Sequence, residues 1–237
     1  MKKIFLSVCL LSAAFTLHAQ LGGLKKLGEK VGIKTSSSSL SNEEIIGGLR
    51  EALSVGAVNS TNLLHKADGY FANEAIKIMM PEEAKKVEKT LRSMGMGNMV
   101  DKAILSMNRA AEDAAGDVSS IFIDAIKKMT LQDGLSILRG GDFAATEYLK
   151  KMTTAELTER MRPVINTSLD KVNATQHWNT VFTNYNRFSS SKVETDLAAY
   201  VTSKALEGLF YTIGLEEQKI RKDPAARVSD LLKKVFG

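Results

Sequence analysis

Residues 193–222 form one run in which apolar side chains recur every three to four positions, and this run constrains the fold most. Such spacing places the apolar side chains on one face of an α-helix, about 45 Å long at 1.5 Å per residue. The stripe contains Leu197, Val201, Ala205, Leu209 and Ile213, widened by Leu206 and Phe210. Because a stripe of this width must be covered by several neighbours, the sequence predicts a long helix packed inside a bundle.

Two capping boxes mark helix starts elsewhere in the chain. Ser41 is followed by Glu44, and Thr130 is followed by Asp133, each three residues later. In this arrangement the hydroxyl and the carboxylate bind amide groups that the first turn of a helix leaves free. We therefore predict that one helix begins after Ser41 and runs to about residue 65, and that another begins after Thr130.

Breaks between further helices complete the pattern. Gly95 is suited to a left-handed helix end, and residues 139–142 are a sharp break. Thr153 with Glu156 predicts another helix start, and Pro163 predicts a kink or a division in the helix that follows. The pattern predicts an all-α fold, a single-domain multi-helix bundle of about eight to ten helices. The predicted bundle ends with a long C-terminal helix, followed by a short terminal helix after Pro224.

The first 19 residues are typical of a secretory signal peptide. Residues 1–3 are basic and residues 4–17 are mostly apolar, while Ala19 provides the small residue expected before a cleavage site. The apolar run is shorter than the roughly 20 residues that a spanning helix needs. We expect cleavage after Ala19 and localisation in the periplasm. The cleaved chain then contains no cysteine, because Cys9 lies within the signal.

Residues 20–40 are rich in Gly, Ser and Lys and are predicted to be a flexible linker before a helical domain at 41–237. Leu24, Leu27 and Val31 also have the spacing of a short amphipathic helix. The linker is therefore either a solvated leader or a peripheral contact with a membrane surface or a partner. The formal net charge of +5 includes two signal-peptide lysines. This balance is too even to favour nucleic acid as a partner.

Familiar catalytic and metal-binding motifs are missing from the sequence. His65 and His177 belong to neither a Glu-x-x-His nor a His-Glu-x-x-His pattern. There is also no Gly-x-Ser-x-Gly motif and no phosphate-binding loop. We therefore expect no metal and no cofactor, and we favour a binding protein over an enzyme.

Polar residues in apolar helical surroundings are the better candidates for a site. Asn108 and Glu112 share one helix face, and their burial is costly unless both are hydrogen-bonded. They form either a structural network or the polar floor of a pocket. The arginine at the 139–142 break either assists anion binding or belongs to a plain turn. The proposed ligand-binding residues are Asn108, Arg109, Glu112, Arg139, Thr146, Tyr148, Tyr200 and Glu207.

Two other patterns concern methionine and charged pairs. The first half of the chain contains Met79, Met80, Met94, Met96, Met99 and Met107. Methionine side chains either line an adaptable apolar pocket or fill gaps in a core. Glu217 and Arg221, four residues apart, predict an ordinary ion pair on the long helix.

Several sequence blocks occur in the order found in one known family. They are GLREALSVGA (48–57), PEEAKKVEKTLRSMG (81–95), MNRAAEDAA (107–115), AIKKMTLQDGLSILRGGDFAATEYL (125–149) and DLAAYVTSKALEGLFYTIGLEEQKIRKDPAAR (196–227). On these blocks the chain resembles an uncharacterised bacterial family, the domain-of-unknown-function family numbered 4197. The resemblance implies an exported, mostly helical protein of Gram-negative bacteria, with no assigned activity and no catalytic residues to carry over.

Three hypotheses follow. The first is a non-enzymatic exported protein that binds a small apolar or amphipathic ligand, or an envelope protein, between its helices. The second is a hydrolase or lyase that uses Glu112 with Glu207 or Glu216. The third is a purely structural envelope protein, tethered or oligomerised through residues 20–40. Binding or catalysis is favoured if Asn108, Glu112 and Glu207 line one accessible cavity, and structure is favoured if each is satisfied in a closed core.

Overall fold

The computed structural model describes residues 41–188, 196–227 and 229–236, and within these ranges it contains nine α-helices and no strand. They are α1 (Asn42–His65), α2 (Lys85–Ser93), α3 (Gly97–Ala114), α4 (Ser119–Lys128), α5 (Leu131–Arg139), α6 (Ala144–Asp170), α7 (Ala174–Phe188), α8 (Leu197–Lys222) and α9 (Asp230–Phe236). The predicted all-α fold is confirmed. The signal peptide and linker predicted for residues 1–40 lie outside the described residues.

The long helix α8 packs against α1, α3, α6 and α7. All five residues of the predicted i+4 row, from Leu197 to Ile213, are at most 3% exposed. Helix α8 begins after Asp196, whose carboxylate accepts a hydrogen bond from the Ala199 amide at 2.9 Å. Burial on several sides, rather than intrinsic helix propensity, therefore stabilises this helix.

Both predicted capping boxes are confirmed. The Glu44 amide donates to Ser41 Oγ at 3.2 Å, and the Ser41 amide donates to the Glu44 carboxylate at 2.9 Å. Thr130 and Asp133 make the same two contacts, at 3.1 and 2.9 Å. Gly95 has the expected left-handed backbone, with φ of 77°. These local signals set the starts of α1 and α5 and the end of α2.

The helix start predicted at Thr153 is wrong, and so is the division predicted at Pro163. Helix α6 runs through both residues without interruption. Thr153 is buried in the helix, where its hydroxyl donates to the Leu149 carbonyl at 2.7 Å. A buried row, containing Leu157, Met161, Ile165 and Leu169, continues past the proline. Burial of this row offsets the roughly 3 kcal/mol that an interior proline costs.

The short terminal helix is confirmed, although it does not begin at Pro224. A 3-10 turn at Pro224–Ala226 comes first, and α9 follows it. Helix α9 packs on α1 at Gly48, where a Cβ atom would lie 2.8 Å from Val235 Cγ2. No helix among the described residues is both long enough and apolar enough to cross a membrane.

Candidate ligand-binding site

Asn108 is fully buried on α3 and binds the connecting segment (residues 66–81) that joins α1 to the turn before α2. Its Nδ2 donates to the carbonyls of Ile78 and Ile104 at 2.8 and 2.7 Å, and its Oδ1 accepts from the Ile78 amide at 2.9 Å. Both amide protons and the oxygen are therefore engaged. The Asn108 side chain therefore bonds both the amide and the carbonyl of Ile78, as the backbone of a neighbouring β-strand would.

Glu112, one turn further along α3, binds the other end of the connecting segment. Its Oε1 accepts from the amides of Tyr70 and Phe71, each at 3.1 Å. Its Oε2 accepts from Arg109 at 2.6 Å, and Arg109 also binds Asp68 at 2.7 Å. With Glu112 only 3% exposed, both residues of the predicted pair are satisfied inside a closed core. This geometry favours a structural network over a pocket floor.

The other predicted site residues lie apart from this network. Arg139 is exposed at the end of α5, and Tyr148 is half-buried near Asp133. Burial, and secondarily the charge of Asp133, raises the pKa of the Tyr148 phenol. Thr146, Tyr200 and Glu207 instead line two surface cavities on α8. The eight candidates are thus distributed over several places.

The first of these cavities, the α6–α8 groove, has a volume of about 680 Å³ and contains Thr146 and Glu207. A row of threonines lines it, and the hydroxyls of Thr154, Thr158 and Thr202 donate to carbonyls of their own helices. Thr154 donates to Lys150 at 2.6 Å, and Thr202 donates to Ala198 at 2.6 Å. The groove therefore offers a ligand mainly methyl groups and hydroxyl acceptors, with charges of both signs at its edges.

Glu217 lies beneath one end of this groove and caps α6 from α8. Its carboxylate accepts from the Ala145 amide at 3.0 Å and from both the amide and the hydroxyl of Thr146 at 2.8 Å. The predicted pair with Arg221 is confirmed at 2.8 Å, and Arg221 also donates to the Ile137 carbonyl at 2.9 Å. A carboxylate at a helix N-terminus binds free amides and the positive end of the helix dipole.

The second cavity, the outer cleft, lies between residues 75–83 and α8 and has a volume of about 970 Å³. Tyr200 donates its hydroxyl to the Met79 carbonyl at 2.8 Å. Burial, together with the nearby charges of Glu207, Glu83 and Glu82, raises the pKa of Tyr200 to about 12. The surroundings of this phenol are therefore both acidic and partly desolvated.

A third cavity, the apolar pocket, has a volume of about 340 Å³ and is lined by α2, α3, α7, Met80, Val172 and the first residue of α8. Trp178 and Phe182 form one wall, with ring centroids 4.3 Å apart, and Trp178 also stacks on Tyr200 at 6.5 Å. Among the described residues that line the pocket, none is Asp or Glu, and the charged or titratable side chains are Lys102 and His177.

Comparison with known proteins gives one match. The family model described as a protein of unknown function (DUF4197) matches residues 39–237. The chain belongs to the DUF4197 family. This match confirms the resemblance inferred from the sequence blocks. No curated protein and no solved structure matches this DUF4197 chain.

The apolar pocket is the feature of this DUF4197 chain that sequence reasoning missed. Three of the methionines noted in the first half of the chain, Met80, Met99 and Met107, do line it. Trp178 and Phe182 are four residues apart, which is the spacing of one helix face. The sequence carries no signal that places α7 across a pocket from α2 and α3, because these elements are far apart in the chain.

Proposed function

We propose that this DUF4197 protein is a non-enzymatic binding protein whose apolar pocket holds the hydrocarbon part of a small amphipathic molecule. The observation that carries the proposal is the pocket lining, which is apolar apart from Lys102, Ser106 and His177. A volume of about 340 Å³ lies within the usual range for small-molecule sites.

The apolar lining of the pocket supports a ligand. A concave apolar surface that is open to water is unfavourable, and a hydrocarbon chain that covers it removes apolar area from water on both sides. Met80, Met99 and Met107 add walls that can adapt to the shape of the ligand.

The contacts of the candidate acids favour binding over hydrolysis. A general base must lie within hydrogen-bond reach of the proton that it removes from the substrate. The two oxygens of Glu112 already accept three hydrogen bonds. Glu216 binds Lys219, and Glu207 binds Lys204 at 2.7 Å. None of these carboxylates lines the apolar pocket.

Export belongs to the proposal, because it rests on the signal peptide predicted at residues 1–19. A hydrocarbon chain is poorly soluble in an aqueous compartment, because exposing apolar surface to water is unfavourable. A pocket that holds the chain removes this surface from water. A periplasmic carrier or sensor of such molecules is the role that combines the predicted compartment with the pocket.

Trp178 allows a direct test, because it is the only tryptophan in the chain. Titration of the mature protein with dodecanol, below its solubility limit, should change the tryptophan emission in a saturable way. Ala103, which lines the pocket, provides the blocking variant Ala103→Phe. Ala199→Phe introduces the same side chain into the α6–α8 groove and is the matched control.

We expect Ala103→Phe to weaken dodecanol binding about tenfold, because the phenyl ring occupies the pocket. This change corresponds to about 1.4 kcal/mol of binding free energy. Ala199→Phe should bind like the unmodified protein. Circular dichroism and urea midpoints establish that both variants are folded. The proposal fails if dodecanol produces no saturable change, or if both variants respond alike.

A further inference from the structure

We infer that the apolar pocket is specific for an anionic single-chain amphiphile, whose head group lies at the pocket mouth beside Lys102 and His177. The inference rests on the proposed function and adds the chemical class of the ligand. It depends on which charges surround the mouth, on which charges are already paired, and on the size of the cavity.

Both side chains at the mouth can donate a hydrogen bond to an anion. Lys102 is exposed on α3 and His177 is exposed on α7, and both line the pocket. An ammonium group offers three donors, and an imidazole offers one in either neutral form. A lysine stem can also lie along apolar surface while its charge stays in water. The mouth is therefore suited to a head group that accepts hydrogen bonds.

The acid next to Lys102 along the chain is paired with another residue. Asp101, its neighbour on α3, binds Arg92 at 2.8 Å. The same arginine binds Glu88 on α2 at 2.9 Å. Within the described parts of the chain Lys102 forms no ion pair of its own, so its charge is available to a ligand.

The other two cavities lack this combination. The α6–α8 groove is edged by Glu147 and Glu207 as well as by Lys150 and Arg162. In the outer cleft, Glu82, Glu83 and Glu207 act on Tyr200. Of the three cavities, the apolar pocket is the one that joins hydrocarbon walls to a positive mouth. Complementary charge at a binding site favours the matching ligand and disfavours the opposite sign.

The shared chemistry is a single hydrocarbon chain with a carboxylate or phosphate head. Such a molecule is either a free fatty acid or a lysophospholipid. A cavity of about 340 Å³ is near the lower limit for small-molecule sites, which favours one chain over two. The experiment separates the two sources by using one ligand of each kind.

The test compares dodecanoate, dodecanol and dodecylamine, three ligands with equal chains and different head charges, by Trp178 emission. A solvent-exposed ion pair contributes about 0.4–1 kcal/mol, so dodecanoate should bind about two- to fivefold more tightly than dodecanol. Dodecylamine should bind more weakly than either. The preference for dodecanoate should decrease as salt is added, because screening weakens an exposed pair.

Charge reversal at the mouth assigns this preference to a residue. In Lys102→Glu the ratio of dodecanoate to dodecanol affinity should fall to one or below. Lys150→Glu makes the same change in the α6–α8 groove and should leave that ratio as it was. Titration with a lysophosphatidylglycerol that carries a twelve-carbon chain then distinguishes the sources. Tighter binding of this ligand than of dodecanoate identifies a lipid head group, and weaker binding identifies a free fatty acid.

The outcomes separate this inference from the proposed function. Equal binding of the three head groups, or a ratio that Lys102→Glu does not change, overturns the inference while hydrocarbon binding stands. Failure of all three ligands to change the Trp178 emission overturns both. Tighter binding of dodecylamine than of dodecanoate would mean that the pocket mouth favours a cation, and it would also overturn the inference.

Discussion

Glu112 shows what a single buried charge does in this protein. A carboxylate removed from water is unfavourable unless hydrogen bonds and an opposite charge replace its hydration. Here two backbone amides of the connecting segment and the guanidinium of Arg109 provide that replacement. The side chain therefore attaches the connecting segment to α3, and its charge is needed where it lies.

We predict that Glu112→Gln lowers the free energy of unfolding by about 1.5–3 kcal/mol, the usual contribution of hydrogen bonds to a charged group. The amide loses the ion pair and presents a donor to Arg109. Glu207→Gln makes the same chemical change at an exposed pair with Lys204 and should cost about 0–1 kcal/mol. Urea denaturation measures both, and equal effects would contradict the structural role of Glu112.

Tyr200 connects stability to alkaline pH. Its pKa is raised to about 12 in the folded protein, against roughly 10 for an unperturbed tyrosine. Between these values the unfolded chain has released a proton that the folded chain retains. The stability that this shift contributes is therefore complete below about pH 10 and is lost as pH rises towards about 12.

The predicted result is a urea midpoint that falls over this pH range, and falls less steeply in Tyr200→Phe. Tyr70 adds to the fall in both proteins, since burial and the charge of Glu112 raise its pKa as well. Tyr211→Phe, which changes an exposed ring, is the control and should keep the original slope. A Tyr200→Phe slope equal to that of the control would refute the assignment.

At the scale of elements, α8 lies very close to the connecting segment. A Cβ atom at Gly208 would lie 2.7 Å from Tyr70 Cε1 and 3.1 Å from Ile76 Cβ. Tyr70 is fully buried there, and its hydroxyl donates to the Ala205 carbonyl at 2.8 Å. Helix α8 and the connecting segment can approach this closely because Gly208 has no side chain.

Two glycine-to-alanine changes should therefore have opposite signs. In Gly208→Ala the new methyl group overpacks against the Tyr70 ring and should cost about 1–3 kcal/mol. In Gly56→Ala, on α1, the nearest atom is Glu216 Cβ at 3.5 Å, an ordinary contact. The helix propensity of alanine should then stabilise the protein by about 0.5–1 kcal/mol. Thermal unfolding compares them, and two changes of the same sign would contradict this packing.

At the scale of the whole molecule, local patterns predicted the helices better than the contacts between them. The α8 stripe and the boxes at Ser41 and Thr130 depend on neighbours within one or two turns, which the sequence displays. The helix start predicted at Thr153 was wrong because the capping pattern lies inside a helix whose buried row continues on both sides of it. Tertiary burial overrides a local signal of about 1 kcal/mol.

The candidate site was less predictable than the helices, because its contacts join residues that are far apart in the chain. Periodicity indicated that Asn108 and Glu112 share a face. The structure adds their partners in the connecting segment, which lie 30 to 42 residues earlier in the chain. The pair Glu217–Arg221 was visible at helical spacing, but the contact with Thr146 spans 71 residues. The apolar pocket joins α2 to α7 and α8, so no single stretch of sequence describes it.

The contact between Glu217 and the start of α6 also affects when the protein can fold. The first turn of α6 obtains its capping carboxylate from a residue 71 positions later. Until α8 is in place, the amides of Ala145 and Thr146 lack this acceptor, and the start of α6 is expected to fray. The start of α6 and the docking of α8 are therefore expected to form in one cooperative step.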